Sequence, residues 1–485
     1  MFLKFLNKIS RRKLAFLQYL ENAVVLTETK ENLMENLEMT KFLITKTVQE
    51  LNIDLYQIGL NGEFKILSEG ENIKLIETNT SEIVASDALL AYYLNQSLKF
   101  SLLKDCFFEQ LFSLYEFSSD HYLSHTPVYK EFKQLKLILK EYGIQVNKEF
   151  RLVAEEGELR EFIFFNFIKD YYENQFLFAD EVVKKQESFS RFFDQLWLNN
   201  EQSILKGNRL SLYLCIIITR IQNGHFIQKN IRSNSITPQQ LTIIESIKLW
   251  LLEIAPKAPA ECIEQEANAL LCFLIVDGWL VDKQQYIDKE QSYIKQMNMN
   301  FLTAIQKQFT LSSEMLTSLC VEVTILHYEL LSFSFGSREE HQNMDIKYFS
   351  DIYPEYAVFC NNYLNEGSNR FVSWNNRDFL FFRYLVLLIA LIPLKEVSEP
   401  FYICVDFSYG SSYNQMIQKK IANILDLNIE FQNFPNDKTN LILSNLPVYE
   451  KHFTDHISWL TPPGVAEWIK FTEKIACIRR KKMNI

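Results

Sequence analysis

Glycine is so scarce in this 485-residue chain that phosphate-cradling loops are excluded at once. There are 12, and the closest pair is Gly59 and Gly62. That spacing allows neither a G-x-G turn nor a Walker loop, so a Rossmann enzyme and a P-loop ATPase are ruled out. With only 11 prolines and 48% hydrophobic residues, the composition predicts a mainly α-helical chain able to bury several cores.

The 8 cysteines contain no C-x-x-C spacing, which predicts a reduced compartment and no disulfide or metal framework. His121/His125 and His452/His456 stand four apart, but neither pair has the glutamate of H-E-x-x-H. No metal and no cofactor are expected. Residues 1–13 lack the long apolar run of a signal peptide, and Phe379–Leu394 is interrupted by Arg383 and Pro393 and too short for a bilayer. A cytoplasmic chain without a membrane partner is expected.

Periodicity divides the chain into five parts: 1–78, 79–158, 159–283, 284–395 and 396–485. In the first, Leu14, Leu17 and Leu20 mark one helix, and Leu33 and Leu37 a short second one. Thr40 caps a third with Phe42, Leu43, Val48, Leu51 and Leu55 inward. Phe64–Leu67 and Ile73–Ile76 then read as a hairpin, the order of a winged helix-turn-helix, with Glu38 where the turn often carries glycine. The second part repeats the pattern: a helical face over Phe107–Leu114, a short helix over Ser119–His125, and a helix opened by Thr126-Pro127. This last helix runs to Tyr142 with Phe132, Leu135 and Leu139 inward. Gly143 stops it, and Ile144–Val146 with Phe150–Val153 form a wing.

From Leu159 to Leu394 the period is helical, enough for two five-helix bundles of about 100–110 residues each. Asn199–Asn208, Ile231–Ser235, Lys257–Pro259 and Ser334–Asn343 punctuate them. Thr237-Pro238 opens one helix, with Leu241, Ile244, Trp250, Leu251 and Ile254 inward. After Pro400, strands at Phe401–Phe407, Ile429–Phe431 and Asn440–Ser444 alternate with helices at Asn414–Leu425 and Pro463–Ile478, a small α/β unit.

This order resembles the Mga/AtxA-type transcription regulators: two winged helix-turn-helix units, two bundles like phosphotransferase regulation domains, and a C-terminal α/β domain like an EIIB component. The sharpest local match is Leu152, Glu156, Leu159, Arg160 and Phe162, similar to the family's L-x-G-x-E-x-x-I/L-R-x-F, with Ala154 in place of its glycine. Leu139, Tyr142, Gly143 and Ile144 fit its run into the second wing. The resemblance implies a DNA-binding regulator, not an enzyme, forming a dimer or larger homo-oligomer. It also implies control by histidine phosphorylation from a phosphocarrier protein of the sugar phosphotransferase system.

Lys130, Lys133, Lys136 and Lys140 lie on the second recognition helix, with Glu131 and Glu141 opposing. Lysines in such a stripe neutralise phosphates without reading sequence. On the first recognition helix Lys41, Thr45 and Lys46 take the contact positions, and Arg11, Arg12 and Lys13 add backbone contacts. Neither helix offers an arginine or asparagine as base reader, which points to recognition through DNA shape. The family's phosphorylation carries over to His225, with Arg220 and Lys229 as cationic neighbours, and to His327 in the second bundle. Its phosphocysteine does not carry over: Cys404 lies within a strand, and the following loop Ser408–Ser412 has no cysteine. The net charge of −10 leaves open a second reading, a protein-interaction scaffold whose winged units bind proteins.

Overall fold

A computed structural model describes residues 2–78, 83–173, 177–192, 203–228, 238–280, 292–332, 349–350, 352–365, 377–424, 427–446, 455–459 and 462–483. It divides into two compact units, one of residues 1–232 with 241–281 and one of 233–240 with 282–485.

The first unit opens with α1 (Lys8–Glu21), β1 (Thr27–Thr29), α2 (Lys30–Asn36), α3 (Lys41–Gln57), β2 (Phe64–Glu69) and β3 (Asn72–Glu77). Thr40 caps α3 as expected, its hydroxyl accepting from the Leu43 amide at 3.2 Å. The phase set by that cap buries Ile44, Val48, Leu51 and Leu55. Phe42, expected inward, lies across the helix from Ile44 and is 77% exposed. Glu38 takes the left-handed conformation itself (φ 50°), so the α2–α3 turn forms without glycine, at a backbone cost of about 1–2 kcal/mol. The hairpin gains β1 as a third antiparallel strand in the order β1-β3-β2.

The second winged unit consists of α4 (Ala85–Asn95), α5 (Leu98–Phe107), α6 (Leu114–Asp120), α7 (His125–Glu141), β4 (Gln145–Val146) and β5 (Leu152–Val153). Phe107 ends α5, and residues 108–113 are a loop where a helical face was expected. The short helix is 114–120, because the Ser113 hydroxyl accepts from the Glu116 amide at 3.0 Å and fixes the start. Helix α7 starts at His125 after Ser124, and Pro127 falls in its first turn, where a missing N–H leaves no bond unmade. Phe132, Leu135 and Leu139 are buried as expected, and Gly143 (φ 74°) ends the run. At the wing tip the Asn147 side chain accepts from the amides of Glu149 (3.0 Å) and Arg151 (2.8 Å).

Buried polar contacts join the two winged units. Asp54 of α3 accepts from Lys13 of α1 and from the Tyr93 hydroxyl of α4. Phe5 and Leu6 are buried, Phe5 meets Phe100 of α5 edge-on at 5.8 Å, and Ser97 donates to the Phe5 carbonyl at 2.7 Å.

The first bundle follows as α8 (Glu156–Glu173), α9 (Asp180–Ser188), α10 (Ile204–Gln222), α11 (Pro238–Ile254) and α12 (Ala260–Val276). Ile244, Trp250, Leu251 and Ile254 are buried as expected, whereas Leu241 is 48% exposed at the start of α11. Trp250 anchors the packing, donating to Ser188 Oγ at 3.1 Å with Phe189 edge-on at 4.8 Å. Thr237, residues 199–202 and the Ile231–Ser235 punctuation lie outside the described residues; the break read as far as Asn208 ends earlier, because Ser203 caps α10 from Ile204, while 257–259 form a loop as read.

The second unit holds α13 (Ser292–Gln308), α14 (Ser313–Ser332), α15 (Pro354–Asn365) and α16 (Arg377–Leu391) around an aromatic core that includes Phe301, Tyr356, Phe359, Tyr363 and Tyr384. Four of the five expected helices are therefore seen among the described residues, and Ser334–Asn343 lies outside them. The α/β part is β6 (Phe401–Val405), α17 (Ser411–Ile424), β7 (Ile429–Gln432), β8 (Leu441–Ser444), β9 (His456–Ser458) and α18 (Val465–Met483). Its four strands are parallel in the order β7-β6-β8-β9. The sequence reading lacked β9; His456 sits on that strand, and His452 is outside the described residues. The chain is thus mainly helical with a small parallel sheet near its C-terminus. Among the described residues no helix is long and apolar enough to cross a membrane.

Candidate nucleic-acid interface

Helix α7 turns Val128, Phe132, Leu135 and Leu139 inward, so its other face is set by the 3.6-residue period. Lys130, Lys133, Lys136 and Lys140 are all exposed there. The helix's two acids are engaged elsewhere: Glu131 by Lys99 of α5 at 3.3 Å, and Glu141 by Lys4 at 2.9 Å. Among the described residues none of the four α7 lysines has an acidic partner, so their charge is uncompensated. The wing tip adds Lys148, also exposed, which the sequence reading did not name.

On α3 the same residue types end differently. Lys41 reaches Glu71 at 2.7 Å, Lys46 lies 3.8 Å from Glu50, and the Thr45 hydroxyl donates back to the Lys41 carbonyl at 3.2 Å. Arg12 is bound to Glu50 and Lys13 to the buried Asp54, so neither is available for the backbone contacts expected of them. Arg11 stays exposed. Two helices that look alike in sequence therefore differ: each α3 lysine lies beside a carboxylate, Glu50 being shared with Arg12, and the α7 lysines have none among the described residues.

Beneath the second wing lies a buried charge network. Arg160, fully buried on α8, donates to Glu156 at 2.8 Å, to both oxygens of Glu266 on α12 at 2.5 and 2.9 Å, and to the His225 carbonyl at 3.2 Å. Arg220, at the end of α10, donates to both oxygens of Glu156 at 2.9 and 2.8 Å. Burial opposes the charge on Arg160, but Glu266 and Glu156 outweigh it and hold its pKa above the usual value. Burial likewise opposes a charged Glu156, and Arg160 with Arg220 outweighs it and holds that carboxyl below its usual range. The Glu156 and Arg160 of the sequence motif are thus the two ends of an internal ion pair.

One carboxylate connects this network to the wing. Glu109, in the α5–α6 loop with a left-handed backbone (φ 58°), lies 2.5 Å from His225 Nε2, 3.1 Å from Arg151 Nε beside β5, and 4.0 Å from Arg220 Nη1. His225 follows Gly224 (φ 83°) at the end of α10 and is partly exposed, as its position in the sequence predicted. Of its two expected cationic neighbours, Arg220 binds Glu156 through Nε and Nη2 and leaves Nη1 4.0 Å from Glu109, and Lys229 lies outside the described residues. No sequence signal pointed to Glu109.

His327 on α14 is completely buried. Its Nδ1 is 2.6 Å from Asn298 Oδ1 and its Nε2 2.7 Å from the Tyr384 hydroxyl. The Asn298 amide donates to Thr324, so its oxygen accepts from His327 Nδ1–H, and Nε2 accepts from Tyr384. Burial lowers the pKa of this ring to about 3. Below pH 6.5 the unfolded chain therefore binds a proton that the folded one refuses, and stability falls as pH drops toward 3. The expected loss is about 1.4 kcal/mol per pH unit in that window. Urea unfolding at about pH 7 and about pH 5 should show a drop for wild type that is roughly 2 kcal/mol larger than for His327→Gln. Equal drops would show that the ring titrates normally.

In the C-terminal sheet Cys404 is buried within β6, and burial pushes its thiol up to about 11. Ser408–Ser412 carries no thiol, and Ser408 is tied to Asn445 by two bonds, 2.9 and 2.7 Å.

Residues 84–167, from the start of α4 into α8, match the Mga helix-turn-helix domain, and the match includes the whole of α7, the second wing, Glu156 and Arg160. No curated protein matches the chain. The likeness to the Mga-type regulators therefore rests on this second winged unit.

Proposed function

We propose that the chain is a DNA-binding transcription regulator that grips the duplex backbone through α7 and the wing after it. The observation carrying this reading is the set of four α7 lysines left without acidic partners, on the helix that the matched domain contains. Such a face binds polyphosphate by counterion release and gives affinity that falls steeply with salt. Fluorescence anisotropy of a labelled promoter-length duplex across a salt series tests it. The expected plot of log K against log salt is linear with a slope of about −3 or steeper; a flat plot contradicts the reading.

Protein contact is a second reading for the first winged unit alone. Phe42, Ile53 and Tyr56 are exposed on one side of α3, whose cations are already paired.

The reading extends to a non-catalytic, cytosolic regulator that works as a homodimer or larger and answers to the sugar phosphotransferase system at His225. A phosphocarrier protein would pass its phosphoryl group to Nε2, the carrier's N–P bond breaking as the new one forms and the Nε2 proton passing to the Glu109 carboxylate. The incoming dianion takes the place of Glu109. It meets Arg151 and the Nη1 of Arg220, a buried donor without a hydrogen-bond partner. Freed from its histidine, Glu109 no longer ties the wing to the bundle. Purified phosphocarrier, its kinase and phosphoenolpyruvate are expected to label wild type but not His225→Ala, and to leave the buried His327 unlabelled. Equal labelling of His225→Ala would place the site elsewhere.

A further inference from the structure

Beside its lysines and Tyr129, which stacks with His125, the exposed face of α7 carries Gln134 and Leu137. Leu137 is 53% exposed, three residues from Lys140 and four from Lys133, on the side opposite the buried Leu135 and Leu139. A leucine there contributes nothing to the core and is a poor neighbour for ammonium groups in water. Gln134, one turn before it, is also exposed, and its amide has no partner among the described residues. Positions three apart on a helix are neighbours, with Cβ atoms about 5–6 Å apart. The molecule therefore presents one amide and one apolar side chain together, with lysines before and after them along the helix.

This composition matches what an A·T pair displays in the major groove. Adenine offers an acceptor at N7 and a donor at N6, which a glutamine amide meets with two bonds, and thymine offers a methyl group that an apolar side chain covers. Lysines bound to phosphates fix the helix in the groove and carry no such information. We propose that Gln134 and Leu137 are the specificity-determining pair of α7, with the Gln134 amide on adenine and Leu137 against the methyl of a thymine in the same or the adjoining base pair. The proposal rests on the DNA-binding reading. A glutamine can read a base edge where the surrounding lysines cannot, and would add to recognition through DNA shape.

The test uses the full-length chain and a panel of duplexes in which each base pair of a bound site is replaced in turn, with thymines also replaced by deoxyuridine. Wild type is expected to prefer A·T at one position by roughly 5- to 150-fold, the range of a bidentate contact. Gln134→Ala should abolish that preference while leaving the salt slope unchanged. Leu137→Ala should bind thymine and deoxyuridine duplexes equally, where wild type distinguishes them. Both residues are exposed, so both variants are expected to keep the wild-type helical signal by circular dichroism. If both variants retain the wild-type base preferences on a steep salt slope, the grip stands and the specificity pair is overturned. If wild type shows no salt-dependent binding, the DNA reading falls and the pair with it.

Discussion

Replacing Arg160 with methionine is expected to destabilise the unit containing the first bundle by about 3–5 kcal/mol. The guanidinium is fully buried and bridges Glu156 of α8 to Glu266 of α12. Without it, Glu156 keeps Arg220, but Glu266, itself almost fully buried, keeps among the described residues only the Ile227 amide at 2.8 Å. An ionised carboxylate left in that position either remains as an uncompensated charge or takes up a proton, and each outcome lowers stability. The double variant Arg160→Met with Glu266→Leu removes both charges and should recover most of the loss, because a buried ion pair contributes little over apolar groups of similar volume. Urea unfolding followed by circular dichroism and tryptophan fluorescence reads the difference. A single variant within about 1 kcal/mol of wild type would mean that the network is solvated.

The largest effect on binding is expected from changing Lys130, Lys133, Lys136 and Lys140 together to alanine. Alanine favours the helix at these exposed positions, so α7 should persist. If each lysine meets one phosphate, the log–log salt slope becomes shallower by about 3.6. Between about 50 and 200 mM salt, wild type should then lose roughly 150-fold more affinity than the variant. Because the lost contacts carry no sequence information, affinity should fall alike for all duplexes.

Much of this arrangement was legible in the sequence, where local chemistry decides structure. The Thr40 cap, the Gly143 stop and the amphipathic period of α7 each act within a few residues, and each appears where it was read. The helices before α7 were misplaced because Ala85–Asn95 and Leu98–Phe107 are apolar on more than one side, which hides their phase. Strands β1 and β9 are three residues each and exist by pairing with β3 and β8, which no local pattern announces. At the site, the lysine stripe was visible, but its lack of counter-charge was not. That property depends on Glu131 and Glu141 reaching Lys99 and Lys4 on other elements. Glu109 left no trace in sequence, since its partner His225 is 116 residues away. The motif residues Glu156 and Arg160 stood out, yet their purpose became visible only with Glu266, 106 residues from Arg160.

The central claim is that DNA lies against α7 and not against α3. Photo-cross-linking from single positions on the two helices tests it most directly. A photoreactive side chain placed at Lys136 of α7, or at Gln49 on the exposed side of α3, is irradiated in the full-length chain with a promoter-length duplex at low salt. The account predicts a covalent protein–DNA adduct from position 136 and none from position 49. An adduct from position 49 with none from position 136 would contradict it.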